Sequence, residues 1–398
     1  MGAGTVGGWA SYFARTSGAE RVVVLERRRV GDGASSRAAG MVRAQGGTPT
    51  TVALGRWSID FYRRQADLLG TDSGFRELGY LILAATDDEE QAGRERVAMQ
   101  QREGLDVRWV DPGEAVRLDP ALHASSMRGA SYAPADGCID PVRNVRAYSL
   151  AMQATRVELR ERCAFTGIET SGARVTAVVT DQGRIETQRV ILTGGPQLSE
   201  VGAVIGVPIP AGAVRHQVAV TEPHPAFQVD RQAMAFDLSG GLYWRLEDGG
   251  LLFGMSNPDE TPGPARSIDW PYLDAMRRRL AHFLPVTDGL DLRKVWAATI
   301  DYTPDHLPIL GPAMKADRSI IEGVMVASAG GHGMMWGPAV ARIAADLALE
   351  GKTTVVDVSQ LGLDRFDAQG HSRLATDPIA LPFPSDALPQ PAGEPARR

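Results

Sequence analysis

Gly2, Gly4 and Gly7, in the opening MGAGTVGGWASYF, spell G-x-G-x-x-G. The chemistry of that spacing is the capture of a dinucleotide pyrophosphate by main-chain amides at a helix N-terminus, with Thr5 and Val6 between the glycines. Glu26 ends the next β-branched run, RVVVLE, 19 residues after Gly7, close to the ~20 at which an acid accepts hydrogen bonds from a ribose. A carboxylate there would repel a 2′-phosphate. Arg27, Arg28 and Arg29 follow directly, and arginines after the strand are what an NADP site uses; a solvated surface turn accounts for them equally. An ordinary turn also satisfies the three-glycine pattern, so the later glycine-rich segments carry the distinction.

The first of these is Gly33-Ala34-Ser35-Ser36-Arg37-Ala38-Ala39-Gly40, followed by Met41. A pure NAD domain has no use for it, whereas a flavin extended across a sheet needs small residues where its rings pass the backbone. The apolar run Arg189–Leu192 ends in Thr193-Gly194-Gly195, again letting main chain approach a cofactor. SAGGHGMMWGP, Ser328–Pro338, places Gly331, His332, Gly333 and Met334 just before a helix. A helix N-terminus carries about half a positive charge and would stabilise an anion forming on a flavin pyrimidine. Two histidines are candidates for the reacting end: His332 as a shape-setting residue or proton shuttle, and His216 at the start of a strand. Arg43, in GMVRAQGG, could pair bidentately with a carboxylate or simply close its loop.

These residues need a frame. Residues 3–17 read as a glycine turn feeding a helix, 21–26 as a buried parallel strand, 52–69 as a helix with Leu54, Trp57, Ile59, Phe61 and Leu68 mostly on one face, and 77–84 as a strand. Helices are also expected over 87–103, 141–153, 269–283 and 337–350. Alternation replaces helical period over 157–193 and 214–254. Parallel-sheet character at both ends and in the middle, separated by antiparallel blocks, predicts two interleaved domains. Beyond Phe366 the chain turns proline-rich. The 398 residues carry 42 basic and 48 acidic side chains, a net charge of −6, and no basic stripe interleaved with aromatics, so nothing favours nucleic acid. Cys138 and Cys163 lack both a disulfide framework and metal-ligand spacing; no metal is expected. No run approaches the ~18 apolar residues of a membrane span and no signal peptide is visible. A soluble, cytoplasmic protein is the expectation, and no feature specifies an oligomeric state.

In order along the chain, GAGTVGG, VVVLE, GASSRAAGMVR, ADGCIDP, RVILTGG, YTPDHLPILGP and GGHGMMWGPAVARIAADL resemble the FAD-dependent D-amino-acid oxidase superfamily, in its glycine oxidase, sarcosine oxidase and dimethylglycine dehydrogenase branch, over about residues 2–366. The resemblance implies an α/β plus α+β fold. A Rossmann-like FAD-binding domain (1–74, 134–211, 297–370) interleaves with an antiparallel-sheet substrate domain (75–133, 212–296), ahead of a disordered tail (382–398). It implies oxidation of the C–N bond of an amino acid or N-alkylated amine by hydride transfer to flavin, giving an imine that hydrolyses, with reoxidation by O2. Arg43 matches the arginine that binds substrate carboxylate in sarcosine-oxidase relatives. Other anchors differ. Ile300 stands where glycine oxidase relatives carry an arginine, Met335 where monomeric sarcosine oxidases carry a lysine, and Ala298 where their tethering cysteine stands, so the FAD is expected to be noncovalent. Family members carry a strand before the first glycine; we expect it to be encoded upstream of a misassigned or truncated start. The alternatives are a dehydrogenase subunit passing electrons to an acceptor protein, an NAD(P)-linked dehydrogenase, and a truncated non-catalytic homologue.

Overall fold

The computed structural model describes residues 1–227, 232–264 and 267–383. The N-terminal helix, Thr5–Thr16, lies against the last helix, Gly337–Glu350, and against Pro141–Ala154. Trp9, Phe13, Tyr148, Met152 and Ala345 are buried together between them, and the Trp9 Nε1–H donates to Asn144 Oδ1 at 3.1 Å. Small residues (Ala341, Ala344, Ala345) let these helix axes approach closely.

Below the helices lie parallel strands from distant parts of the chain. Val23–Glu26 pairs in parallel with Glu158–Glu161. Val190–Leu192 pairs in parallel with Ile320–Ser328. Met1 and Gly2 lie between these two pairs: the Gly2 N–H donates to Leu25 O at 2.8 Å and the Thr193 N–H to Met1 O at 3.0 Å. Ile320–Ser328 also pairs antiparallel with Ile309–Met314. These strands bury Leu25, Val190, Leu192, Val324 and Val326 in one cluster.

A second sheet has eight strands, in the spatial order 292–302, 212–221, 250–255, 242–247, 234–237, 80–84, 129–133, 108–110. Its pairings are antiparallel except for Met234–Asp237 with Tyr80–Ala84. One face packs on the helix Trp270–Phe283, with Trp244, Phe253, Met276, Leu280 and Phe283 buried there. The other face carries Tyr80, Phe236 and Tyr243. Within Leu242–Glu247, Tyr243 and Trp244 therefore point to opposite faces, as strand alternation requires. Among the described residues no helix is long and apolar enough to cross a membrane, and no group of three or more His, Cys, Asp or Glu is placed to hold a metal.

Four expectations need correction. Residues 77–84 are not one strand: the Leu78 and Gly79 amides both donate to Asp136 O, at 3.2 and 2.9 Å, and Gly79 turns at φ +76°. Leu68 is 54% exposed and lies off the buried face of its helix, Pro49–Leu69. The expected boundary at 297 falls inside a continuous strand, Leu292–Tyr302, which pairs along most of its length with Gly212–Thr221. Finally, most of the expected tail, residues 384–398, lies outside the described residues, but Phe383 is buried and stacks on Tyr302 with centroids 5.1 Å apart.

The segment leading to Phe383 is held by a buried ion pair. Arg365 Nε and Nη2 donate to Asp305 Oδ2 and Oδ1 at 2.7 and 3.0 Å, and Ser372 Oγ donates to the same carboxylate at 2.6 Å. Both ionic side chains are at most 1% exposed. Removing one partner strands the other charge in a medium that cannot solvate it. Asp305→Ala should therefore cost about 3–5 kcal/mol in chemical denaturation, and a loss below ~1 kcal/mol would mean the pair is replaceable by water.

Candidate active site

A cavity opens where the parallel strands meet the Tyr80–Tyr243 face of the large sheet. It is lined by the glycine turn, the loop from Glu26 to Arg43, Thr193–Gln197, Thr299–Asp301 and Ala327–Met335, together with Tyr80, His216, Phe236 and Tyr243 of the large sheet.

At the glycine turn, geometry leaves no choice of residue. A Cβ on Gly7 would overlap the Gly2 carbonyl oxygen, and one on Gly2 would fall 2.6 Å from Thr193 O; Gly2 itself sits at φ +99°. Gly4 is the N-cap of Thr5–Thr16 and has no side chain with which to cap it. Gly4, Thr5 and Val6 line the cavity, so the amides of the first turn other than that of Thr5 lie where they suit an anion. The Thr5 N–H donates to Ser35 Oγ at 3.0 Å, fastening the second glycine-rich loop across the first. Glu26 is fixed at its strand end: Oε2 accepts the Ala3 N–H and Oε1 the Arg28 N–H, each at 2.9 Å. The Thr193 hydroxyl donates to Met1 O at 2.7 Å.

Of the residues singled out from sequence, Gly2, Gly4, Thr5, Val6, Glu26, Arg27, Ser35, Gly40, Met41, Arg43, Thr193, Gly194, His216, Gly331, His332, Gly333 and Met334 all line this cavity. Gly7, Ser36 and Arg37 do not. Gly7 makes room for Gly2, Ser36 Oγ donates to Gly31 O, and Arg37 Nη1 donates to the carbonyls of Asp32 and Gly33 at 2.7 and 2.8 Å. The arginine closes its own loop rather than reaching the cavity.

The polar groups of the far end come from different elements. Arg43 is 4% exposed. Its guanidinium donates to Gln45 O and, at 2.7 Å, to Ile379 O, and none of the ion pairs among the described residues includes it. Behind it, the buried Asp136 carboxylate accepts the Ala44 N–H at 2.7 Å and Gln45 Nε2–H at 3.2 Å; burial pushes its pKa up to about 6. His216 Nε2 lies 2.6 Å from Tyr243 Oη and its Nδ1 3.3 Å from Ser256 Oγ. Across the sheet it is paired in register with Ala298. His332 bonds to Gly330 O through Nδ1 at 3.1 Å and packs on Trp336 at 4.3 Å. Asp301 accepts from Ser328 Oγ at 2.8 Å, and burial raises its pKa. Sequence reasoning missed Asp301, Ile379 and Leu381, all of them cavity-lining; only Asp301, two residues before the TPD threonine, sat near a recognisable motif.

The family model described as "FAD dependent oxidoreductase" matches residues 1–347. The chain belongs to that family. It is 27% identical over 385 residues to 4-methylaminobutanoate oxidase (formaldehyde-forming) of Paenarthrobacter nicotinovorans, covering 94% of this chain and 46% of that one. It is 28% identical to glycine oxidase of Geobacillus kaustophilus, covering 92% and 96%. The crystal structure of the latter superposes with a TM-score of 0.79 at 25% identity, covering 92% of this chain and 97% of that one. L-proline dehydrogenase from P. horikoshii shares the fold, with a TM-score of 0.83 at 24% identity over 91% and 95% of the two chains. The chain spans about half the length, or less, of the first curated relatives it matches. This member of the family has a cavity whose donor set fits FAD: a helix N-terminus with a glycine cap for a diphosphate, a pinned carboxylate at the adjacent strand end, and glycines where a Cβ would intrude.

Burial holds both cavity histidines neutral. It lowers the His216 pKa to about 4; burial and then the Arg43 charge lower that of His332 to about 3. Unfolded, each titrates near 6.5. Between those limits the unfolded chain binds more protons, so these histidines make stability fall as the pH drops from about 6.5 towards 4. Asp136 and Asp119, both raised to about 6, act in the opposite direction over part of that window. His332→Gln should therefore flatten the fall, by up to ~1.4 kcal/mol per pH unit, in thermal denaturation between pH 4.5 and 7. Parallel curves for wild type and variant would show that His332 is not buried neutral.

Proposed function

We propose that this chain oxidises the C–N bond of a carboxylate-bearing amine, an amino acid or N-alkylated amino acid, to an imine that water then hydrolyses. The observation that carries the reading is Arg43. It is a buried guanidinium whose described partners are backbone carbonyls, and it lines the same cavity as the glycine-capped helix N-terminus. Asp136 feels the Arg43 charge but forms no ion pair with it among the described residues, so a substrate carboxylate can still dock on the guanidinium through a bidentate pair. The activities of the relatives support an amine or amino acid as substrate.

The cofactor would be held along Gly2, Gly4, Thr5 and Val6 at its diphosphate, with Glu26 at a ribose, and with Ser35, Thr193 and Gly331–Met334 along its length. Bound FAD supplies the two-electron acceptor for the substrate C–H bond next to nitrogen. The chain's own residues select the protonation state in which the amine binds. A protonated amine has no lone pair to assist that bond's cleavage. Neutral His216, 2.6 Å at Nε2 from the Tyr243 hydroxyl, gives with it an uncharged polar pair in a buried site, which disfavours an ammonium and favours binding of the neutral amine, its proton having been left to water. Ser256 Oγ, beside Nδ1, orients the ring. O2 is the first candidate for reoxidation, supported by the near full-length match to an oxidase; an acceptor protein is the second, supported by the dehydrogenases among the relatives. Peroxide release in air separates them.

FAD is proposed to be noncovalent because Ala298, buried and without a nucleophile, occupies the expected tether position. Acid precipitation should leave the yellow colour in the supernatant; colour in the pellet would overturn this.

The reading as a whole is tested by anaerobic flavin bleaching against N-methyl amino acids, D-amino acids and cyclic imino acids. With a substrate in hand, Arg43→Ala should raise the concentration needed for half-maximal reduction roughly 30- to 1000-fold, the ~2–4 kcal/mol of a charge-assisted bidentate pair, with FAD content unchanged. Arg43→Lys should recover only part, since an ammonium cannot make two parallel bonds. Intact substrate affinity together with lost FAD would instead make Arg43 a support for the cofactor loop.

A further inference from the structure

Downstream of the Asp305–Arg365 pair the chain returns to the cavity. The Asp377 N–H donates to Asp305 O at 3.1 Å, and Thr51 Oγ1 donates to Asp377 Oδ2 at 3.2 Å. Asp377 in turn organises a tight turn, its Oδ1 accepting the Ile379 N–H at 3.0 Å and its carbonyl the Ala380 N–H at 3.2 Å. The turn delivers the Ile379 carbonyl to Arg43 at 2.7 Å. Pro382 then packs on Gly241, where a Cβ would overlap the proline ring, and Phe383 stacks on Tyr302. Between these fixed points the side chains of Ile379 and Leu381 line the cavity together with Ile300 and Phe236. Ile379 is fully buried, whereas Leu381 is half-buried and touches the clusters around both Tyr243 and Tyr302.

We propose that the segment Asp377–Phe383 forms an apolar subsite beside Arg43 that receives the alkyl portion of a carboxylate-bearing substrate, with Leu381 setting how long that portion can be. The inference rests on the reading of Arg43 as the carboxylate anchor and adds the group that discriminates among carboxylates. The segment does two things at once. Its Ile379 carbonyl occupies one guanidinium N–H and so restricts the edge on which a carboxylate can dock. Its side chains give the space next to that edge no polar partner. A hydrocarbon chain loses nothing there, whereas a second charged group on the substrate would be desolvated without compensation. Leu381 is the adjustable member because it is only half-buried: shortening it opens space into the cavity without emptying a sealed core.

The test uses the purified FAD-loaded protein and straight-chain carboxylates from acetate to hexanoate, with binding read from the perturbation of flavin absorbance and no turnover required. Leu381→Ala should raise the affinity for hexanoate relative to acetate roughly tenfold, the effect of one to two newly accommodated methylenes. Leu381→Trp should lower that ratio by a similar factor. FAD content and melting temperature confirm that each variant is folded, and Leu381→Ala decides the matter if the tryptophan variant is not. A ratio unchanged within twofold in Leu381→Ala, while Arg43→Ala weakens every carboxylate, overturns the subsite and leaves the anchor standing. A shifted ratio in Leu381→Ala with Arg43→Ala binding as wild type keeps the subsite and removes the anchor.

Discussion

Between the carbonyl oxygen of Gly2 and the α-carbon of Gly7 there is no room for a side chain. That contact starts the first helix immediately beneath the turn, and it can do so only because Thr193 comes in from the other side, with its amide and hydroxyl both donating to Met1 O. Three segments separated by up to about 190 residues thus converge within a few ångströms. The direction of the first helix follows, and with it the direction of its free amides. The second glycine-rich loop is then placed by Ser35 on the Thr5 N–H, and Glu26 by the Ala3 N–H. One close approach of backbone to backbone sets the positions of the whole diphosphate end.

The far end is organised by charge rather than by contact. Arg43 is held by carbonyl dipoles, which orient the guanidinium without neutralising it. Burial, and after it the Arg43 charge, holds the His332 ring neutral. His216 is neutral by burial alone. The far end of the cavity therefore presents the Arg43 cation and two uncharged imidazoles, with Arg27, Arg28 and Arg29 lining the cavity beside Glu26. An anionic ligand is attracted, and an amine is accommodated better uncharged than as an ammonium. The buried Asp136 carboxylate, bonded to the Ala44 amide and the Gln45 side chain, also feels the Arg43 charge, which opposes the rise that burial gives its pKa.

How much of this could be read in the sequence depends on where each constraint lies. The glycine turn, Glu26, the Ser328–Pro338 segment and Arg43 were legible because local backbone geometry and residue chemistry impose them, and these leave marks within a few neighbouring positions. Arg37 misled because a guanidinium in a glycine-rich loop looks the same whether it faces a phosphate or the carbonyls of its own turn. Leu68 misled because helical periodicity counts apolar residues without knowing where a helix outruns its packing partner. The break at Gly79 comes from Asp136 O, more than fifty residues away, and no local pattern announces it. Ile379 and Leu381 were invisible for the same reason: in a proline-rich stretch, apolar residues have no period, and their burial depends on a buried ion pair and on Gly241.

The hydrogen bond from Arg43 to the Ile379 carbonyl joins residues 336 positions apart, and it gives the site an order of assembly in time. On a ribosome elongating at roughly 5–20 residues per second, Arg43 emerges on the order of 20–70 s before the carbonyl that will orient it. Thr193, which closes the glycine turn, is synthesised within that interval, and the guanidinium has water on the side that Ile379 later covers until the interval ends. The nascent cavity begins as an open trough and becomes a shaped pocket only when the last of its walls has been synthesised.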